Sequence, residues 1–491
     1  MPLKDKSCGI LLSVSSLPSE HGIGCFDKAA YSFIDFLSEC RQDYWQILPL
    51  CPIGKGNSPY YSPASFAGEI LYIDIQKLQK QGLIGEIANC EFGKNTDYKT
   101  AKYHKLPLIK QAADNFNTNK RSYIKFCSDN SYWLDDYAIF MALKDYYGDS
   151  PFYFWNDDIK YRLPQAMSDF CLEHNRKIEF YKITQYFFFE QYFELKSYAN
   201  SKGIKIIGDI PFYVSPDSAD VWSNPECFEL NRDMSPKLIA GVPPDIFSTD
   251  GQLWGNPIYN WEFQRKTDYE WWKKRLLHNK EMYDILRIDH FRAFADYYSI
   301  PADAKTAKNG KWIVGEGMNF WNKIKEFERE LNIIAEDLGG ETDEVRSLVK
   351  NTGFPNMKLL QFAFDSDLKD PFLPQNFSNN CVCYTGTHDN DTTLGWYKSI
   401  SSNERLFFER LTADTEEDSP VLRLISYGMT SKADTVIIPL QDYLQLDTDC
   451  RLNTPGTDKN NWEWRFENDD LSDELKSTII RLSKKRKRAV D

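Results

Sequence analysis

Long apolar runs are missing from this chain. No stretch approaches the length of a membrane span, and the opening Met1-Pro2-Leu3-Lys4-Asp5-Lys6 lacks the apolar segment of a secretory leader. Neither membrane insertion nor export is expected, which leaves the cytoplasm. Positive charge is also short: 59 Lys and Arg stand against 72 Asp and Glu, a formal net charge of −13. That balance argues against a general role on nucleic acid or an anionic membrane and favours neutral substrates. Histidine is sparse, with six residues too dispersed for a zinc site, and the eleven cysteines show no metal-like spacing. Neither metal nor cofactor is expected. Cys381-Val382-Cys383 lies in a β-like run with both thiols on one face, as reduced core thiols would. Internal repeats, low-complexity tracts and Pro/Gly/Ser linkers are absent too. The one charge block, Lys484-Lys485-Arg486-Lys487-Arg488, is read as the solvated end of a last helix.

What the chain does have is apolar content, 42% hydrophobic and 15% aromatic over 491 residues, enough for a large core. Short β-rich runs recur at Gly9–Val14, Tyr44–Leu48, Ile204–Asp209, Ile285–Asp289, Ile333–Glu336, Lys358–Phe364, Cys381–Tyr384 and Thr435–Leu440. Helix-length segments such as Asn319–Leu331 and Thr342–Asn351 separate the later ones. Strands alternating with helices predict parallel βα units, and eight of them predict an α/β protein of the (β/α)8 barrel class. The gap from Pro52 to Ser201 is too long for one crossover, so it must hold inserted structure. Residues 1–53 and 201–491 are therefore assigned to the barrel and 54–200 to an inserted, mostly helical subdomain. Trp133–Tyr147 and Lys177–Asn200 read as helices, and the stripe Tyr186-Phe187-Phe188-Phe189 reads as a packing face.

Several of the runs share an ending. Asp209, Asp289, Glu336 and Asp389 each follow an apolar run and sit among polar residues. One such acid is usually a cap or turn former. In a parallel barrel, however, all strand ends converge on one rim, so acids distant in sequence become neighbours. Paired carboxyls there suit acid and nucleophile work at a glycosidic bond. Arg287, two residues before Asp289, faces the same side and can keep that carboxylate ionised, while partial desolvation would raise Glu336 towards a proton donor. Two Gly/Pro-rich loops, Gly54–Ser62 and Gly241–Pro257, lie on the side where βα loops build sites, and they carry Tyr60 and Trp254 as candidate sugar platforms.

At these residues the chain resembles the 4-α-glucanotransferases known as amylomaltases or disproportionating enzymes, glycoside hydrolase family 77 of the α-amylase clan. The likeness runs from Gly9-Ile10-Leu11-Leu12 to Asn453-Thr454-Pro455-Gly456. It includes Gly208-Asp209-Ile210-Pro211, Gly241-Val242-Pro243-Pro244-Asp245, Gly255-Asn256-Pro257, Arg287-Ile288-Asp289-His290-Phe291-Arg292, Ala335-Glu336-Asp337-Leu338-Gly339 and Gly386-Thr387-His388-Asp389-Asn390. The resemblance implies a retaining transglycosylase on a (β/α)8 barrel, with Asp289 as nucleophile, Glu336 as acid/base and Asp389 as transition-state stabiliser. It further implies substrate contacts from Tyr60, Asp209, Arg287 and His388, and a covering loop carrying Asp245 and Trp254. Maltooligosaccharides, amylose or glycogen-derived glucans would be the partners. Ile210-Pro211 stands where secreted α-amylases usually have Asn-His, and Asn57 stands where the family often has an acid. Two other readings use the same features: an α-glucan hydrolase with the same three acids, and a silent glucan-binding barrel.

Overall fold

The structure is a computed structural model that describes residues 6–244, 248–339, 342–365 and 367–488. It has twelve strands: β1 Ser7–Leu11, β2 Tyr44–Gln46, β3 Lys205–Ile210, β4 Leu238–Val242, β5 Gln252–Pro257, β6 Ile285–Ile288, β7 Asp296–Pro301, β8 Lys311–Val314, β9 Ile333–Ala335, β10 Asn356–Leu359, β11 Cys381–Tyr384 and β12 Thr435–Pro439. Eight of them close a barrel in the order β1-β12-β11-β10-β9-β6-β3-β2, every neighbouring pair parallel. These are the eight apolar runs. Being covered on both faces, barrel strands must be apolar throughout, which is why they stood out as runs rather than as alternations. Two are displaced: β1 occupies Ser7–Leu11 rather than Gly9–Val14, with a 3-10 helix from Val14, and β10 starts at Asn356 before the chain turns into a 3-10 helix at Leu360–Phe362.

Local chemistry sets the helix ends. In Asp343–Thr352 the Thr342 side chain accepts from the Val345 amide, acids occupy the first turn, and Gly353 closes the helix at φ 72°. Its buried residues Val345, Leu348 and Thr352 recur at helical spacing, and the helix packs against helix Gly317–Phe327. Between β2 and β3 the longest helices are Tyr98–Asp114, Ser131–Tyr146 and Asn175–Ser201. The last of these lies against β3 and against helix Lys28–Glu39. Tyr186, Phe187, Phe188 and Phe189 are all buried in it, so the stripe is packing. Gly208 is the one residue that lets β3 approach its cover, since a Cβ there would lie 2.1 Å from the Tyr283 ring.

Two expectations need correction. The stretch Gly251–Pro257 is not a loop: Gln252–Pro257 forms β5, an edge of a second sheet ordered β5-β4-β7-β8. Leu253 pairs with Gly241 and Gln252 with Val242 of β4, because Gly241 has no side chain to obstruct the Gln252 carbonyl, 2.1 Å from where a Cβ would stand. Gly251, at φ 68°, closes the turn before β5 and Gly255, at φ 82°, lies within the strand, so both read as loop in sequence. The basic block is solvated only in part: Lys484 is exposed, whereas Lys485 and Arg486 are not. Helix Asp473–Arg488 tucks Arg486 fully inside, where it donates to the Ser431 and Ala433 carbonyls, and Lys485 reaches Glu417 at 2.8 Å and Ser426 at 3.0 Å. Side chains on a helix's inner face are covered whatever their charge, and these had carbonyls and a buried acid to meet.

Candidate active site

Parallel register brings the acids to one rim. β3 and β6 align Asp209 with Arg287, and β6 and β9 align Ile288 with Ala335, so Asp289 and Glu336 leave adjacent strands side by side. Asp389 arrives from the loop after β11. The Arg287 guanidinium ties the floor together: Nη1 donates to both Asp209 oxygens at 2.8 and 2.6 Å, and Nη2 donates to Asp289 Oδ1 at 2.9 Å. Tyr60 Oη donates to Asp209 Oδ2 at 2.7 Å, and its ring stacks on His388 with centroids 4.9 Å apart. His388 Nε2 lies 3.3 Å from Asp389 Oδ1. The six side chains thus form one connected network.

Exposure grades it. The side chains of Asp209 and Arg287 are 0% and 4% exposed, whereas those of Asp289 and Asp389 are 29% and 44% exposed. Asp289 and Asp389 are therefore open to the cleft, while Asp209 and Arg287 lie beneath, with Arg287 holding Asp289. Tyr60 is half-buried with its hydroxyl on Asp209 and one ring face on His388, and Trp462 tilts against both rings. Trp254, on β5, stands edge-on to His290 at 4.8 Å. Asp245 lies outside the described residues.

Glu336 is held by backbone. His290 N donates to Oε2 at 2.7 Å and Leu338 N to Oε1 at 2.8 Å. His290 takes φ 52°, a left-handed value uncommon outside glycine, and this turn directly after Asp289 aims its amide at the neighbouring acid. Burial, and then the Asp289 charge, push the Glu336 carboxyl up to about 8. Burial also raises Asp289, opposed by Arg287. With a guanidinium on Asp289 and none on Glu336, the proton of this coupled pair resides on Glu336. Asp389 goes the other way: although burial works against it, His388 and Asn453 hold it down at about 2. At neutral pH the rim offers a proton donor beside two ionised carboxylates.

Three contributors were not singled out in the sequence. Asn453 Nδ2 donates to Asp389 Oδ1 at 2.6 Å, and Arg451 Nη2 donates to the Asp389 carbonyl at 2.6 Å. Trp462, only 5% exposed and at φ 67°, backs Tyr60 and His388. Asn453 does stand in Asn453-Thr454-Pro455-Gly456, but an amide after the last strand carries no chemical signature of its own. Among the described residues no group of three or more His, Cys, Asp or Glu is arranged to hold a metal.

Residues 12–471 match the family described as 4-alpha-glucanotransferase, glycoside hydrolase family 77. The 4-alpha-glucanotransferase of Clostridium butyricum is 44% identical over 484 residues, 96% of this chain and 99% of that one. That of Thermus thermophilus is 40% identical over 482 residues, 96% of each. Among solved structures, an amylomaltase from Streptococcus agalactiae in complex with acarbose superposes with a TM-score of 0.95 at 38% identity, covering 98% of this chain and 99% of that one. With an eight-stranded parallel barrel, acids gathered at one rim and likeness along nearly its whole length, this chain belongs to the 4-alpha-glucanotransferase family.

Proposed function

We propose that the chain moves segments of α-1,4-glucan to the 4-hydroxyl of an acceptor glucan or glucose by retaining double displacement. The carboxylate of Asp289 attacks the anomeric carbon while Glu336 gives its proton to the departing glycosidic oxygen. The bond to the leaving glucan breaks and a glycosyl ester on Asp289 forms. Glu336, now a carboxylate, takes the proton of an acceptor 4-hydroxyl as that oxygen displaces Asp289, which restores the starting protonation. Asp389, held charged, faces the positive character developing at the sugar ring, and His388 hydrogen-bonds hydroxyls beside the reacting carbon. The observation that carries this reading is the division of charge, with Arg287 on Asp289 and backbone amides alone on Glu336. Tyr60, Trp254 and Asp245 are assigned to the bound glucan. Maltooligosaccharides, amylose or glycogen-derived glucans are the substrates. Residues 54–200 are assigned as an inserted subdomain whose first turn brings Tyr60 to the site. A cytoplasmic location suits the buried thiols of Cys25, Cys381 and Cys383.

Incubation with maltotriose alone tests it. A transferase yields glucose together with maltotetraose and longer chains. A hydrolase using the same acids yields glucose and maltose without longer chains, and a silent binder leaves the trisaccharide intact. Absence of longer products would overturn the proposal.

A further inference from the structure

The turn that follows Asp289 carries a tryptophan at two of its residues. His290 meets Trp254 on β5, and the Arg292 guanidinium lies 4.4 Å from the ring centre of Trp312 on β8. β5 and β8 are the two edges of the same four-stranded sheet. Of the two, Trp312 is used by nothing described so far.

We propose that Trp312 is an outer platform on which a sugar residue of a long α-glucan stacks, remote from the bond being exchanged. The inference rests on the glucan reading above. Its first support is exposure. All four residues of β8, Lys311–Val314, are exposed, with Trp312 at 45% and Val314 at 84%. An edge strand normally limits its apolar surface, so three consecutive exposed apolar residues mark a surface that meets something. The second support is rigidity. Arg292 is buried and fixed, donating to Asp296 Oδ1 at 2.6 Å and to the Gly339 carbonyl. Stacked on that plane and edge-on to Tyr298 at 5.3 Å, the indole is pre-set and loses little freedom on binding. Asp296 already neutralises Arg292, so shielding that charge does not account for the ring.

The third support is continuity with the site. Arg292 is three residues beyond Asp289, and Gly339 is three beyond Glu336. The β7–β8 hairpin is pinned to the same turn by the Gly315 amide on the Ala295 carbonyl at 2.7 Å, and no side chain fits at Gly315, where a Cβ would lie 2.3 Å from the Phe294 carbonyl. An indole so anchored presents a flat apolar face, and the C–H faces of glucose units suit it. An amylose chain leaving the cleft on this side has the amphipathic surface required.

The experiment compares kcat/KM on amylose and on maltotriose for wild type, Trp312→Ala, Trp312→Leu and Trp312→Phe, with melting temperatures alongside. Loss of one aromatic stacking contact predicts a drop of roughly two- to tenfold on amylose for the Ala and Leu variants, with a far smaller change on maltotriose. Phe should keep most of the amylose rate. Leu separates the roles, since it still covers Arg292 but offers no ring. Full amylose activity in Trp312→Leu, or equal losses on both substrates, would overturn the platform. So would a wild-type dimer that Trp312→Ala dissociates in step with the lost activity, because β8 would then be covered by a second copy. If wild type elongated neither substrate, the glucan reading itself would fail, which is a separate outcome.

Discussion

Asp289 and Glu336 are chemically alike and are told apart by their neighbours. Asp289→Asn keeps the shape and a hydrogen-bonding group for Arg287, which still holds Asp209, so the fold should survive while the covalent step is lost. Transfer from maltotriose is expected to fall by about 10⁴-fold or more, with the melting temperature close to wild type. For Glu336 the prediction concerns pH. Its folded-state value of about 8 exceeds its ordinary 4.5. Between these values the folded chain keeps a proton that the unfolded chain has released, so this residue's contribution to stability falls as pH rises from about 4.5 and levels off above about 8. Glu336→Gln cannot lose that proton. It should be more stable than wild type by roughly 2–4 kcal/mol at pH 8, a gain that vanishes near pH 4.5. Turnover on maltotriose should drop about 10²–10⁴-fold in the same variant. Denaturation at several pH values checks the first part, and a variant less stable than wild type at pH 8 would contradict it. In wild type, kcat/KM should decline as pH climbs through about 8, where the donor loses its proton.

At the scale of elements, the second sheet decides how the site is covered. Trp254 rides on an edge strand held by its antiparallel pairing with β4, so it stands as a fixed wall against His290 rather than a flap. A sugar acceptor needs such a wall, and water does not. Trp254→Ala is expected to raise the ratio of hydrolysis to transfer on maltotriose several-fold, read as free glucose against longer oligosaccharides at matched conversion. An unchanged ratio with a large fall in melting temperature would assign Trp254 to packing alone. This element was illegible in sequence because Gly251, Gly255, Pro243, Pro244 and Pro257 are turn formers by composition, whereas β5 exists through its pairing with β4. The barrel strands were legible because burial on both faces leaves an apolar run whatever the partner.

The whole molecule is closed by contacts between its ends. β1 pairs with β12 from Ser7–Thr435 to Leu11–Pro439, so strands from opposite ends of the chain share one seam. Helix Asp473–Arg488 packs on β1 and on helix Pro420–Met429 beside that seam, with Arg486 buried on the Ser431 and Ala433 carbonyls just before β12. Arg486→Ala takes a donor from each of those carbonyls and opens a cavity. It should cost about 2–4 kcal/mol in urea unfolding while the folded fraction keeps its turnover on maltotriose. Unaltered stability would mean that water replaces the arginine at no cost.

The amino-acid sequence determined what depends on composition and on local order: eight strands, the helices between them, and four acids each at the end of an apolar run. Those features survive without knowledge of neighbours because burial period, capping and strand ends are written locally. Tertiary structure decided what depends on register. It turned four similar acids into one buried anchor, two ionised carboxylates and one proton donor. It also brought Asn453 to Asp389 across 64 residues, made β5 a strand, and seated Arg486 inside. The reason is physical: a carboxyl's protonation, an amide's partner and an edge strand's pairing are set by which groups stand within a few ångströms, and in a closed barrel those groups come from remote parts of the chain.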